Sequence, residues 1–332
     1  MSKIILGRES RIVGNIMLKC QRPYDRTRPE KVLLVEGATD KEFFTPFLKD
    51  GVRCLSAAEC DKADEMFSRM PTRREGEAPD EVSLSETTEN YKQAIKESIT
   101  KLKFGACCVY GIVDNDTDDS IAGPLVWTTD TRDLETMLLK TDEIVRRNFI
   151  DGYTVPQEVV SKSLFLAQQT AYYIDNLRKN NVPVTALEAE NLVITWQTFV
   201  GSNCKIDGRA LIESLAPDKD ALFNKIIKSE KGSGKRLDKN GEWRDELADF
   251  KPSEIFWSEV NGHLIAQAYA YFDERVGKLY SGGQRNRLNR TVEMSWIRAY
   301  DRQNFYKTKL SRSMQIAGLI KSKEELSATI RI

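Results

Sequence analysis

The sequence predicts an α/β fold, a parallel sheet with helices on both faces, followed by a mainly α-helical second region. Two apolar segments and one change of pattern carry the prediction. KVLLVE, residues 31–36, is an uninterrupted apolar run ended by Gly37 and followed at once by an amphipathic stretch. A short continuous run of this kind suits a strand buried on both faces, as in a parallel sheet. ACCVYGIV, residues 106–113, is a second such run and leads directly into DNDTDD. Strands that alternate with helices imply βαβ crossovers, whereas beyond residue 140 mostly helical patterns recur.

Taken in order, residues 1–30 read as an N-terminal extension with a short strand and a basic, proline-bearing stretch, RPYDRTRPE. After the first strand, Asp40 stands where a helix cap belongs, ahead of KEFFTPFLKD, whose Phe43, Phe44, Phe47 and Leu48 make one apolar face. A second strand is expected at 52–56 and a helix at 61–70. Residues 71–90, PTRREGEAPDEVSLSETTEN, are polar and nearly free of large apolar groups, which marks an exposed insertion. A helix at 91–102 precedes the strand at 106–113, a fourth strand is expected at 124–128, and DLETMLL, from Asp133, begins a helix. The organisation is thus an α/β domain over 31–140, then a mainly helical region over 141–332 assigned to binding and to self-association. Helices are expected there at 155–179, 208–215, 221–229, 263–279 and 293–321, with a loop over 230–250 and a Gly/Arg-rich turn, SGGQRNR, between the last two.

Composition bounds the function classes. The chain has 332 residues, 40% hydrophobic and 30% charged, and no apolar run near the roughly 18–20 residues of a membrane span. Its start, MSKIILGRESRIVG, does not read as a secretory signal, so a cytoplasmic location is expected. Cys20, Cys54, Cys60, Cys107, Cys108 and Cys204 contain no C-x-x-C, and His263 is the only histidine; a zinc site is not indicated. Cys107 and Cys108, in an apolar run, are expected to act as small core residues.

Net charge is zero but unevenly spread. Residues 284–312 carry Arg285, Arg287, Arg290, Arg298, Arg302, Lys307, Lys309 and Arg312 against only Glu293 and Asp301. Lys225, Lys228, Lys231, Lys235, Arg236 and Lys239 form another run. Either run alone equally describes a solvated helix face or a loop. Beside a phosphate-handling site, Arg285, Arg287, Arg290, Lys235 and Arg236 become candidate nucleic-acid contacts.

Such a site is what the acids suggest. Glu36 and Asp40 follow the first strand, and Asp114 and Asp116 follow a later one, spaced i and i+2. Ligands of open parallel sheets collect at the carboxyl ends of the strands, so the acids converge if the two strands are neighbours. Carboxylates crowded together oppose each other's ionisation unless a cation intervenes. Hard oxygen donors without histidine or thiol suit Mg²⁺ or Mn²⁺ and phosphate oxygens. DNDTDD alone also fits an acidic surface turn or a weak Ca²⁺ loop, and VEGATD alone a strand, turn and cap; their joint occurrence in this order is the more specific signal.

At these residues the sequence resembles the Toprim family, which is Rossmann-like: VLLVEGATD matches its strand ending in Glu-Gly, and VYGIVDNDTD its strand ending in Asp-x-Asp. The resemblance covers about residues 31–140. With TRDLETMLL and WSEVNGHLIAQAYA added, the pattern is similar to a narrower family of stand-alone Toprim-like proteins. That family includes AriB, the nuclease subunit of the PARIS anti-phage system, which works with the ABC-type ATPase AriA. The resemblance implies Glu36 as general acid/base close to the metal, Asp114 and Asp116 as Mg²⁺ ligands, and Glu135 as a further acidic position at a second metal. Asp40 is open between metal ligand and cap. His263 is open between a capping or packing role and contact with a phosphate or a partner.

Among Toprim reactions, a topoisomerase needs a domain presenting a nucleophilic tyrosine, and bacterial-type primases and recombination-repair proteins use a zinc module. Neither is indicated, which leaves phosphodiester hydrolysis. The resemblance further implies a tRNA-cleaving antiviral effector, homodimeric when active and held inactive by an ATPase partner until infection. A DNA nuclease and a catalytically silent Toprim binding subunit are the alternatives. GSGKR, residues 232–236, lacks the spacing of a phosphate-binding loop, so an ATPase is not expected within this chain. Trp257, Tyr269, Tyr271 and Phe272 are expected to pack the helical region.

Overall fold

The computed structural model describes residues 8–20, 31–61, 91–102, 108–115, 123–150, 153–182, 184, 192–215, 219–229, 236–238, 242–280 and 285–330. The helix expected beyond residue 61 and the insertion at 71–90 lie outside the described residues. In chain order the elements run α1 (Arg8–Cys20), β1 (Lys31–Val35), α2 (Ala38–Phe44), β2 (Val52–Ser56), α3 (Tyr91–Leu102), β3 (Cys108–Val113) and β4 (Val126–Thr128). There follow α4 (Leu134–Thr141), α5 (Glu143–Arg147), β5 (Asn148–Ile150), β6 (Tyr153–Thr154), α6 (Gln157–Lys179), α7 (Leu192–Phe199), α8 (Gly208–Leu215) and α9 (Lys219–Ser229). Then come α10 (Gly262–Phe272), α11 (Glu274–Tyr280), α12 (Arg285–Ala299), α13 (Arg302–Phe305), α14 (Lys309–Ile316) and α15 (Lys323–Ile330). Two compact units result: Met1–Asp130 with Phe305–Ile332, and Thr131–Asn304.

The first unit is mixed α/β around a four-stranded sheet of order β2-β1-β3-β4, parallel throughout. Val32, Leu33, Leu34 and Val35 are all fully buried, as the uninterrupted apolar run predicts for a central strand covered on both faces. Side chains alternate across a strand. Val32 and Leu34 accordingly join Val109 and Val113 of β3 in one core with Ile12 and Ile16 of α1 and Ile95, Ile99 and Leu102 of α3. Gly111 lies on this face because α3 presses against it: a Cβ there would stand 2.7 Å from Ile99 Cδ1 and 2.8 Å from Ile95 Cγ2.

Residues 8–20 of the expected extension are therefore a core element. Ile12 and Ile16, one helical turn apart, are both fully buried, and Asn15 Nδ2 donates to the Cys60 carbonyl at 2.7 Å. Helix α2 also starts earlier than residue 40. Gly37 is its extended N-cap, and Asp40 sits inside the first turn, its Oδ2 accepting the Gly37 N–H at 2.8 Å. Cys108, expected in the core, is exposed at the edge of β3, whereas Cys54, Cys60 and Cys204 are buried.

The C-terminal segment 305–332, expected to belong with the helical region, closes on the sheet unit instead. Fully buried Phe305 meets the rings of Phe47 at 4.5 Å and Phe43 at 5.5 Å. Burial of such a ring contributes about 2–3 kcal/mol. Backbone bonds then pin the segment, Lys49 N to Leu319 O at 2.9 Å and Lys321 N to Phe47 O at 2.8 Å.

The second unit is mainly helical, with buried Leu164, Phe165 and Tyr173 of α6 and Ile265, Ala268 and Tyr269 of α10 in its interior. Helices α6 and α8 match the expected 155–179 and 208–215 closely. The single helix expected over 263–279 is broken at Asp273, whose Oδ1 accepts the N–H groups of Arg275 and Val276 at 2.9 and 3.3 Å and restarts the chain as α11. The helix expected over 293–321 is likewise interrupted, at Asp301, which accepts Gln303 N at 2.9 Å, and at Thr308, the N-cap of α14. Asp and Thr side chains compete for backbone donors and so end and begin helices that hydrophobic spacing alone would run together.

Candidate functional site

The pairing of β1 with β3 makes neighbours of the strands that lead into Glu36 and Asp114. Register pairs Leu34 with Gly111, so both chains leave the sheet at the same edge. There the backbone N–H of Asp114 donates to Glu36 Oε1 at 2.8 Å. The Glu36 carbonyl accepts Ala58 N at 3.2 Å and Ser56 Oγ at 3.3 Å, which anchors this turn to the end of β2. On the other side Thr129 N donates to the Val113 carbonyl at 3.1 Å, and Asn115 N donates to Thr129 Oγ1 at 3.2 Å. The carboxyl ends of all four strands are thus tied together around Glu36 and Asp114, both half-buried.

Asp40 approaches the same turn, with one oxygen on the Gly37 N–H; this is the capping role, made within the first helical turn. Its charge is also felt by Cys54, whose thiol is pushed up to about 12, first by burial and then by the Asp40 carboxylate. Cys54 is accordingly a neutral core thiol. Glu36 and Asp114 offer hard oxygens without thiolate or imidazole, a donor set that fits Mg²⁺ or Mn²⁺. Among the described residues no group of three or more His, Cys, Asp and Glu side chains is arranged to hold a metal ion. Asp116 lies outside the described residues.

The second unit joins the other two stretches singled out in the sequence, TRDLETMLL and WSEVNGHLIAQAYA. Arg132 N donates to the Trp257 carbonyl at 3.1 Å, and Arg132 Nη1 to the Glu259 carbonyl at 2.6 Å. Asp133, buried and capping α4, accepts Thr136 N at 2.8 Å on one oxygen and Gly262 N at 3.1 Å on the other. Glu135 stands in the first turn of α4, so close to α10 that a Cβ on Gly262 would lie 2.3 Å from its own Cβ. His263 follows, half exposed, with Nδ1 3.5 Å from Oε1 of the largely buried Glu293. The sequence pointed to neither Asp133 as the clamp between these helices nor Glu293 as the neighbour of His263. Both pairings span more than a hundred or some thirty residues of chain, a separation no local pattern encodes.

The candidate basic contacts divide. Arg285, Arg287 and Arg290 lie on α12, where Arg290 is exposed. Arg236 holds Glu259 with its two terminal guanidinium nitrogens, Nη2 at 2.9 Å, and sits 4.0 Å above the Phe256 ring. Its guanidinium therefore serves the fold of the second unit. Lys235 lies outside the described residues. Among the described residues no helix is long and apolar enough to cross a membrane. Compared with known proteins, the chain matches no family model, no curated protein and no solved structure.

Proposed function

We propose that this chain is a metal-dependent endonuclease of Toprim type, with Glu36, Asp114 and Asp116 as its catalytic carboxylates. One observation carries the reading: the Glu36 carboxylate reaches across from β1 to the Asp114 N–H at the carboxyl edge of a parallel sheet, where such sheets bind their ligands. Bound Mg²⁺ or Mn²⁺ would supply charge neutralisation at a phosphodiester and an acidified water. Glu36 and Asp114, with Asp116 two residues further along the sequence, are the residues that would hold it. The Asp114 N–H orients the Glu36 carboxylate, which would accept and return a proton. The ties from Ser56, Ala58 and Thr129 keep both turns in place, so that positioning does not have to be supplied by substrate.

The resemblance favours RNA, specifically tRNA, as substrate, and an effector in antiviral defence restrained by an ABC-type ATPase partner resembling AriA. The test uses purified wild-type chain, Glu36→Gln and Asp114→Asn, each given tRNA, single-stranded DNA and duplex DNA with Mg²⁺ or with chelator. Cleavage that needs the metal and both carboxylates supports the reading, and the substrate cut identifies the class. Wild-type rates in both variants overturn the mechanism; intact nucleic acids throughout move the reading to a silent Toprim binding subunit.

A further inference from the structure

Next to Asp114 in the first unit lies a cleft of about 310 Å³ at the carboxyl ends of β3 and β4. Asn115, Trp127, Thr128, Asp130, Lys309 and Ser313 are among the residues that line it. Four features describe what it accepts. It begins one residue from a candidate catalytic carboxylate. Its aromatic wall is Trp127, held by a stacked contact with Tyr110 at 5.4 Å and 22°, so the indole is fixed before any ligand arrives. Asp130, the carboxylate among these lining residues, accepts Lys309 N at 2.6 Å and Leu310 N at 2.8 Å, one on each oxygen, which turns it toward the start of α14. Lys309 is exposed, and among the described residues no carboxylate pairs with its ammonium.

An aromatic platform beside an uncommitted cation, with hydroxyl and amide groups around it, is the chemistry that holds one nucleotide of an unpaired strand: the base stacks and the ammonium meets the phosphate. The volume is at the low end for ligand pockets, room for one base and not for a base pair, whose partner strand would have to be accommodated too.

We propose that this cleft receives the nucleotide flanking the scissile phosphate, with its base against Trp127 and its phosphate on Lys309, so that the substrate is single-stranded at the point of cutting. The proposal rests on the nuclease reading above and assigns Trp127 and Lys309 as substrate-binding residues.

The test measures binding of short single-stranded oligonucleotides, one of RNA and one of DNA, and of the corresponding duplexes, by fluorescence anisotropy in chelator so that nothing is cut. Trp127→Leu, Trp127→Phe, Lys309→Gln and, as a control on exposed Lys323, Lys323→Gln are compared with wild type, and cleavage is followed separately with Mg²⁺. Expected are tighter binding of single strands than of duplexes and a loss of about tenfold for Trp127→Leu, with partial recovery in Trp127→Phe. Lys309→Gln is expected to weaken binding and lower the salt-dependence slope by about 0.7, while Lys323→Gln binds as wild type. Wild-type binding by both Lys309→Gln and Trp127→Leu, with metal-dependent cleavage intact, overturns the cleft assignment and leaves the nuclease reading standing. A chain that neither binds nor cuts any of these nucleic acids overturns both. Lys309→Gln, a surface change, keeps the test valid should Trp127→Leu unfold.

Discussion

The backbone N–H of Asp114 donates to the Glu36 carboxylate at 2.8 Å across two neighbouring parallel strands, so the main chain carrying one acid positions the other. A glutamine at residue 36 keeps an oxygen acceptor for that donor and removes the charge. Glu36→Gln is expected to unfold within about 1 kcal/mol of wild type while metal-dependent cleavage falls about a hundredfold or more. Glu36→Ala, which leaves the donor without this acceptor, is expected to lose roughly 1 kcal/mol further. Denaturant titrations and single-turnover cleavage check both; a Glu36→Gln protein that cuts normally removes this residue from the mechanism.

Gly111 is where α3 approaches β3. Gly111→Ala would bring a methyl to 2.7 Å from Ile99 Cδ1 and 2.8 Å from Ile95 Cγ2, an overpacking that typically costs about 1–3 kcal/mol. Ile99→Val deletes the nearer of the two atoms and is expected to recover part of that loss in the double variant. A double-mutant cycle in urea measures the coupling, and strict additivity would show that the helix and strand do not meet there.

In the second unit, Gly262→Ala would set a Cβ 2.3 Å from the Cβ of Glu135. No rotamer of Glu135 relieves a clash at that atom, so α4 or α10 must shift, and a loss of more than about 2 kcal/mol is expected. Glu135→Ala is expected not to rescue it, whereas Glu135→Gly should do so in part. Thermal unfolding of the three proteins separates this steric account from one in which the Glu135 charge matters.

The Cys54 thiol, pushed up to about 12 by burial and then by Asp40, gives stability a defined alkaline limb. Its proton stays bound in the folded chain at pH values where an unfolded chain, with an ordinary thiol near 9.0, has released it. The contribution is therefore complete below about pH 9 and is lost as pH rises toward 12. The stability advantage of the native protein over Cys54→Ala should shrink across that window, measured by denaturant unfolding at stepped pH. At pH 8 Cys54 is expected to resist thiol reagents in the folded state, while exposed Cys108 reacts. Equal reactivity of the two would contradict the burial of Cys54.

What the sequence determined by itself lies where chemistry is local. KVLLVE and the run ending in GIV read as strands because a strand buried on both faces leaves no polar position, and α3, α6 and α8 appear close to where their apolar spacing puts them. The order Glu36, then Asp114 and Asp116, already indicated acids at strand ends; only the pairing of β1 with β3 brought Glu36 and Asp114 into hydrogen-bonding contact. Tertiary structure decided the rest. Phe305 returns to Phe43 and Phe47 across some two hundred and sixty residues of chain, and Asp133 clamps Gly262 across 129. Helices expected to be continuous break at Asp273, Asp301 and Thr308 because each side chain finds backbone donors nearby. Local patterning encodes which face of an element is apolar. Which distant face covers it is settled by packing and by buried hydrogen bonds, whose partners are neighbours only once the chain has folded.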